Sequence, residues 1–233
     1  MPRQGKRYRM AVEKVEKGRE YTPEEALDLI KEVSSCGFDE TVEVAVALNI
    51  KPKEKGERIR GTVTLPRGLG RKIRVLVFAA GDEGEKARKK GADWVGGKEL
   101  AEKIEQGWRE FDAVVSTPQM MKVVARLGRI LGPQHLMPSP KIGTVTEKPS
   151  RVVEELKRGK IEYRNDATGV IHAPLGKASF PREALLENFE TLLKAIEKDK
   201  PASVKGRYLK TLFLSSTMGP GLKINLQKVT GLS

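Results

Sequence analysis

RGTVTLPRGLGRKIRVLVFA, residues 60–79, is where the chain changes style, and the fold follows from that change. Gly61 to Leu65 reads as a half-exposed strand. Ile73 to Ala79 is a nearly continuous apolar run, as expected of a strand buried on both faces. Between them Pro66-Arg67-Gly68-Leu69-Gly70 interrupts any regular element. Upstream, Thr22-Pro23-Glu24-Glu25 supplies an N-cap, a first-turn proline and acids, so a helix runs from there to about Cys36-Gly37. Ala26, Leu27, Ile30 and Val33 fall on one face of it. Thr41 to Leu48 then alternates, with Val42, Val44, Val46 and Leu48 on one side, and Lys51 to Glu57 reads as a turn.

Downstream, helical stretches Gly84 to Lys90 and Lys98 to Gln106 separate strands Ile73 to Ala79, Ala92 to Val95 and Asp112 to Ser116. A further helix is expected from Pro118 to about Leu127, and another at about Ser150 to Arg158. Apolar strands alternating with amphipathic helices indicate a parallel sheet covered on both faces. After Gly159 the earlier style returns: strands Ile161 to Arg164 and Gly169 to His172, a helix from Phe180-Pro181 to Lys198, and a strand Tyr208 to Ser216. The expected fold is therefore α/β and α+β in two domains. Residues 1–66 and 160–233 form a discontinuous α+β outer domain, and residues 67–159 an inserted α/β domain.

The charge is distinctive. The 233 residues carry 44 Lys+Arg against 31 Asp+Glu, a net +13. Residues 1–66 contribute +1, residues 67–159 +7 and residues 160–233 +5, so the excess lies along the folded sequence. Only at the N-terminus do Arg3, Lys6, Arg7 and Arg9 precede the first acid, Glu13. A polyanion is the partner this balance favours, nucleic acid before membrane. Arg129 to Thr144 (RILGPQHLMPSPKIGT) adds a loop with three prolines, apolar anchors and no carboxylate, a shaped cationic surface. Cys36 is the only cysteine, no run of about 18 apolar residues exists, and a soluble cytoplasmic protein is expected.

Catalytic chemistry finds little footing. Gly68-Leu69-Gly70 is followed by a strand where a dinucleotide fold needs a helix, and Gly176-Lys177-Ala178-Ser179 has the wrong order for a phosphate loop. With His135, His172 and Cys36 as the available soft ligands, no zinc spacing arises. No cofactor, no metal and no catalytic residue are expected; a nucleotide-binding enzyme built on the inserted domain is the alternative. Three surfaces could hold RNA. Phe38 and Thr41 flank the first long strand, where Phe38 stacks or simply lines the core. Ser215 to Pro220 offers hydroxyls and amides at a strand end, or closes the sheet as a polar turn. Arg164-Asn165-Asp166 and Lys177-Ala178-Ser179 flank the strands before the long helix, as contacts or as caps.

Taken together, FDETVEVAVAL (38–48), RGTVTLPRGLGRK (60–72), residues 129–144, IEYRNDATGVIHAPLGKASF (161–180) and SSTMGP (215–220) resemble the bacterial ribosomal protein L-one family, from about residue 3 to 225. The resemblance implies two hinged domains, with Pro66 to Gly70 and Gly159-Lys160 at the crossings. It implies a discontinuous α+β outer domain that binds 23S rRNA at the mobile stalk, and an inserted Rossmann-like three-layer α/β domain without cofactor. Help in releasing deacylated tRNA from the exit site and translational repression through the protein's own operon mRNA are implied as well, in a monomer outside the ribosome. By motif, Phe38, Thr41, Thr217, Met218 and Gly219 would form the main RNA surface, with Arg164, His172, Lys177 and Ser179 secondary. Gly37 stands where relatives commonly carry lysine, Gln134-His135 where they carry Arg-Gly, and Ser139 where they carry Asn.

Overall fold

Two helices precede the first strand: α1 (Lys6–Glu13) and α2 (Pro23–Val33). The second starts where the sequence places it. Thr22 Oγ1 accepts from the Glu25 N–H at 3.2 Å while the Glu25 carboxylate accepts from the Thr22 N–H at 2.9 Å. This reciprocal cap satisfies two orphan donors of the first turn and ties down the helix entry. Ala26, Leu27 and Ile30 are then buried on one face. The computed structural model describes residues 5–16, 18–50, 58–204 and 206–229, so the turn expected over Lys51 to Glu57 lies outside the described residues.

Next in the chain come β1 (Thr41–Leu48) and β2 (Arg60–Thr64), then β3 (Val75–Phe78), α3 (Asp82–Lys89), β4 (Trp94–Gly96), α4 (Lys98–Glu105) and β5 (Ala113–Ser116). Short turns of helix follow, including α5 (Met121–Val124) and α6 (Gly128–Leu131), before α7 (Pro149–Lys157). The chain closes with β6 (Lys160–Arg164), β7 (Val170–Lys177), α8 (Arg182–Lys198), β8 (Leu209–Ser216) and β9 (Leu222–Lys223). It divides into two compact units, Met1–Gly70 with Ile161–Ser233, and Arg71–Lys160.

The first unit is built on an antiparallel sheet in the order β7-β1-β8-β9, with β2 and β6 paired separately. The valines of β1 point into the core, as the alternation requires: Val42, Val44 and Val46 are buried, and α2 packs against β8, α8 against β7, and the two helices against each other. β7 runs on to Lys177, five residues beyond the strand expected at Gly169 to His172. Pro174 and Gly176 argue against a central strand, but β7 lies at the sheet edge, where a missing N–H is tolerated. The ladder absorbs one extra residue there: Val42 faces Gly176 and Glu43 faces Pro174. That bulge restores Lys177 to the outer face, opposite Thr41.

In the second unit β4-β3-β5 is a parallel sheet, with Leu76 opposite both Trp94 and Val114. All four residues of β3 are buried, because helices cover both faces. Leu76 and Phe78 pack with Leu100 and Ile104 of α4 and with Val124, Leu127 and Leu131, while α3 and α7 lie against each other and α7 against β3 and β5. The expected helix from Pro118 to Leu127 is instead a chain of 3-10 and α-helical turns that reaches Leu131. Ile130, Leu131, Leu136 and Met137 anchor the proline-rich loop on this core. It returns to the sheet where the Ser116 N–H donates to the Thr144 carbonyl at 2.9 Å.

Candidate nucleic-acid interface

β1 and β8 stop pairing through backbone at Val42 and Ser216, and a side chain takes over. Thr217 Oγ1 accepts from the Thr41 N–H at 2.9 Å and donates to the Thr41 carbonyl at 3.3 Å. The two segments, 176 residues apart in sequence, are thereby clamped edge to edge. Phe38 and Met218 project from this clamp, 55% and 60% exposed. Exposed large apolar side chains flanked by hydroxyls and backbone amides suit stacking and sugar contacts rather than a folded core. The Gly219 N–H closes the turn on the Ser216 carbonyl at 3.2 Å, and a Cβ on Gly219 would collide with the Ser216 side chain.

Two acids hold the loop, Asp39 exposed and Glu40 buried. Asp39 accepts from the Ser179 N–H at 3.2 Å and from its hydroxyl at 2.7 Å. Glu40 is buried, 2% exposed, and its Oε2 accepts from the Met218 N–H at 3.0 Å. Burial pushes the Glu40 carboxyl up, but the Met218 N–H, the nearby Ser216 hydroxyl and Cys36 outweigh it and hold the group below the usual carboxylate range. Ser216 Oγ is buried near that carboxylate without meeting hydrogen-bond geometry. Sequence reasoning treated acids mostly as solvated partners of Lys and Arg and passed over both. A signal was available: no Lys or Arg stands three or four residues from Asp39 or Glu40, so neither has a helix-surface partner.

A pH dependence follows. A carboxylate whose folded pKa is depressed contributes stability at neutral pH, and loses it as pH falls from the unfolded value of about 4.3 through the folded value. Glu40→Gln is therefore expected to be less stable than the parent at pH 7, with the difference closing below about pH 4. Urea unfolding at pH 7, 5 and 3 checks this; a difference that does not change with pH would refute it.

The structure gathers Phe38, Thr41, Lys177, Ser179, Thr217, Met218 and Gly219 in one place. Lys177 and Ser179 sit in its framework: Lys177 Nζ donates to Thr41 Oγ1 at 3.0 Å and to the Asp39 carbonyl at 3.1 Å. His172 is exposed on the same outer face but pairs with Ala45, four residues and roughly 13 Å along β1 from Thr41. Arg164 lies farther still. It precedes Asn165, which bridges Ile171 at the opposite end of β7.

The second unit carries an acid-free basic stretch of its own. Residues 113–146 hold no Asp or Glu, and Lys122, Arg126, Arg129, His135 and Lys141 within them are exposed. The dinucleotide alternative gains nothing here. The turn from β3 into α3 is the place for a pyrophosphate in such a sheet, and the first turn of α3 holds Asp82, Glu83 and Glu85. Three carboxylates repel the ligand that site would need. Gly68 and Gly70, both with positive φ, sit in the loop between β2 and β3, away from any helix start.

Fold and charge thus define a basic, mixed α/β protein of two units with an exposed aromatic and hydroxyl surface on one of them. The model of the Ribosomal protein L1p/L10e family matches residues 30–220, and the chain belongs to that family. It is a ribosomal protein, with the structural role in a ribonucleoprotein that membership carries. Among the described residues no helix is long and apolar enough to cross a membrane.

Proposed function

We propose that this protein binds 23S rRNA at the mobile stalk of the large subunit through the surface formed by Phe38, Thr41 and Thr217 to Gly219. The observation that carries the reading is the clamp of Thr217 on Thr41, which joins the segment bearing exposed Phe38 to the turn bearing exposed Met218. A prearranged surface loses less entropy on binding a folded RNA than a loop that must order itself. The net charge of +13 supports the same partner. On this reading the acid-free stretch of the second unit meets exit-site tRNA and assists its release. The rRNA surface also recognises a similar fold in the protein's own operon mRNA, which gives repression of translation. The protein acts in the cytoplasm and is a monomer before assembly.

The test is filter binding of a transcript of the 23S rRNA stalk region at fixed salt. Phe38→Ala is expected to weaken binding about tenfold or more, since aromatic stacking on one base contributes about 1–3 kcal/mol. Its exposure means that the fold should be untouched. Equal affinity of parent and variant would reject the surface.

A further inference from the structure

Helix α1 lies outside the residues that the family model matches, and its chemistry is unlike that of the other helices. Ala11 is buried, with Tyr8, Val12 and Val15 half-buried, so one stripe faces the body of the unit. Lys14 Nζ meets Glu32 of α2 at 2.7 Å and secures the C-terminal end. Nearer the N-terminus, Arg7 lies beside the Cys36 thiol, which in turn adjoins Glu40, the carboxylate that holds the Met218 N–H. The helix is therefore seated at the edge of the Phe38–Thr217 surface. Lys6, Arg9 and Met10 face outward, Met10 with 63% exposure.

Arg7 adjoins the Cys36 thiol, but Lys6, Arg7 and Arg9 have no acidic partner within the folded protein among the described residues. Several cations on other helices pair with acids of their own helix: Lys86 with Glu83, Arg151 with Glu155, Arg158 with Glu154, Lys194 with Glu190. Lys6, Arg7 and Arg9 form no ion pair among the described residues, and the first turn holds no acid. Positive charge at a helix N-terminus opposes the macrodipole, and Lys6 and Arg9 repel each other across one turn. Gly5 caps the helix without a side-chain bond. Two cations, Lys6 and Arg7, placed against the dipole at the start of the helix make sense if an anion supplies the missing partner.

We infer that α1 is a second RNA-contacting element, which extends the Phe38–Thr217 surface and engages backbone phosphates of the same RNA through Lys6, Arg7 and Arg9. This rests on the rRNA-binding reading above. The contact is electrostatic and indifferent to sequence, in contrast to the surface around Thr217, so the two respond differently to salt.

The experiment compares the full chain with a Lys6→Gln, Arg7→Gln, Arg9→Gln triple variant, using the stalk transcript over a series of salt concentrations. Each lost phosphate contact removes about 0.7–0.9 from the slope of log affinity against log salt. The triple variant should lose about 2 from that slope and bind about 10- to 100-fold more weakly at low salt, with the gap narrowing as salt rises. A charge-matched control on α3 (Lys86→Gln, Arg88→Gln, Lys89→Gln) should keep the parental slope. An unchanged slope in the α1 variant, or an equal loss in the control, overturns the inference. If Phe38→Ala also binds like the parent, the underlying reading falls. If Phe38→Ala is weak while the α1 variant keeps its slope, only the role of α1 is lost.

Discussion

Asn188→Asp is expected to destabilise the unit formed by Met1–Gly70 and Ile161–Ser233 by about 3–5 kcal/mol, the largest effect of any single exchange considered for this protein. Asn188 is fully buried on α8, and its amide serves three backbone groups. Oδ1 accepts from the Arg67 N–H at 3.0 Å, while Nδ2 donates to the Gly68 carbonyl at 3.0 Å and to the Leu175 carbonyl at 2.7 Å. One side chain thus pins the loop after β2 and the bulge in β7 to the same helix. Aspartate has the same shape but no donor. Its second oxygen would face two carbonyl oxygens in the core, each left unsatisfied at about 1–3 kcal/mol, with a buried charge added. Aromatic residues allow the units to be followed separately. All four tyrosines (Tyr8, Tyr21, Tyr163, Tyr208) lie in this unit, and both tryptophans, Trp94 and Trp108, in the other. Urea unfolding should show the tyrosine signal moving to much lower denaturant and the tryptophan transition holding its midpoint. Coincident, unshifted transitions would show that the amide is not the support described.

Why the strands were readable and these polar supports were not comes down to range. The alternation in TVEVAVAL is complete within eight residues, so β1 could be drawn to its ends. The capping box of α2 is likewise local, Thr22 to Glu25. Asn188 and Glu40 acquire their roles from partners 120 and 178 residues away, and beyond the lack of a nearby Lys or Arg at Glu40 their neighbourhoods do not mark them as buried. β7 was cut short because Pro174 and Gly176 count against a strand, and edge position, the fact that rescues them, belongs to the sheet rather than the segment. α1 was passed over because eight residues dominated by Lys, Arg and Glu, with no side-chain cap, carry too few apolar positions to reveal their buried stripe. The interface was legible through its residue types. Phe38 and the hydroxyl-rich turn after β8 could be singled out, but the hydrogen bonds that join them could not.

Thr217→Val tests whether that junction matters for RNA. The exchange keeps the side chain's volume and removes the hydroxyl that both accepts from the Thr41 N–H and donates to its carbonyl. Those backbone groups are at the exposed end of the strands, so water can replace the lost partner and the stability cost should stay near 1 kcal/mol. The effect on binding should be larger. Without the clamp, the segment bearing Phe38 and the turn bearing Met218 are ordered only when RNA arrives, and that ordering opposes association. A contact through the hydroxyl itself to a ribose or phosphate would disappear as well. Together these predict a loss of about 1–3 kcal/mol, roughly 5- to 150-fold in affinity for the stalk transcript. The salt slope should stay parental, because no charge is removed. A thermal midpoint within a few degrees of the parent, alongside weakened binding, would separate this role from a merely structural one. Binding within twofold of the parent would show that the clamp shapes the sheet end and nothing more.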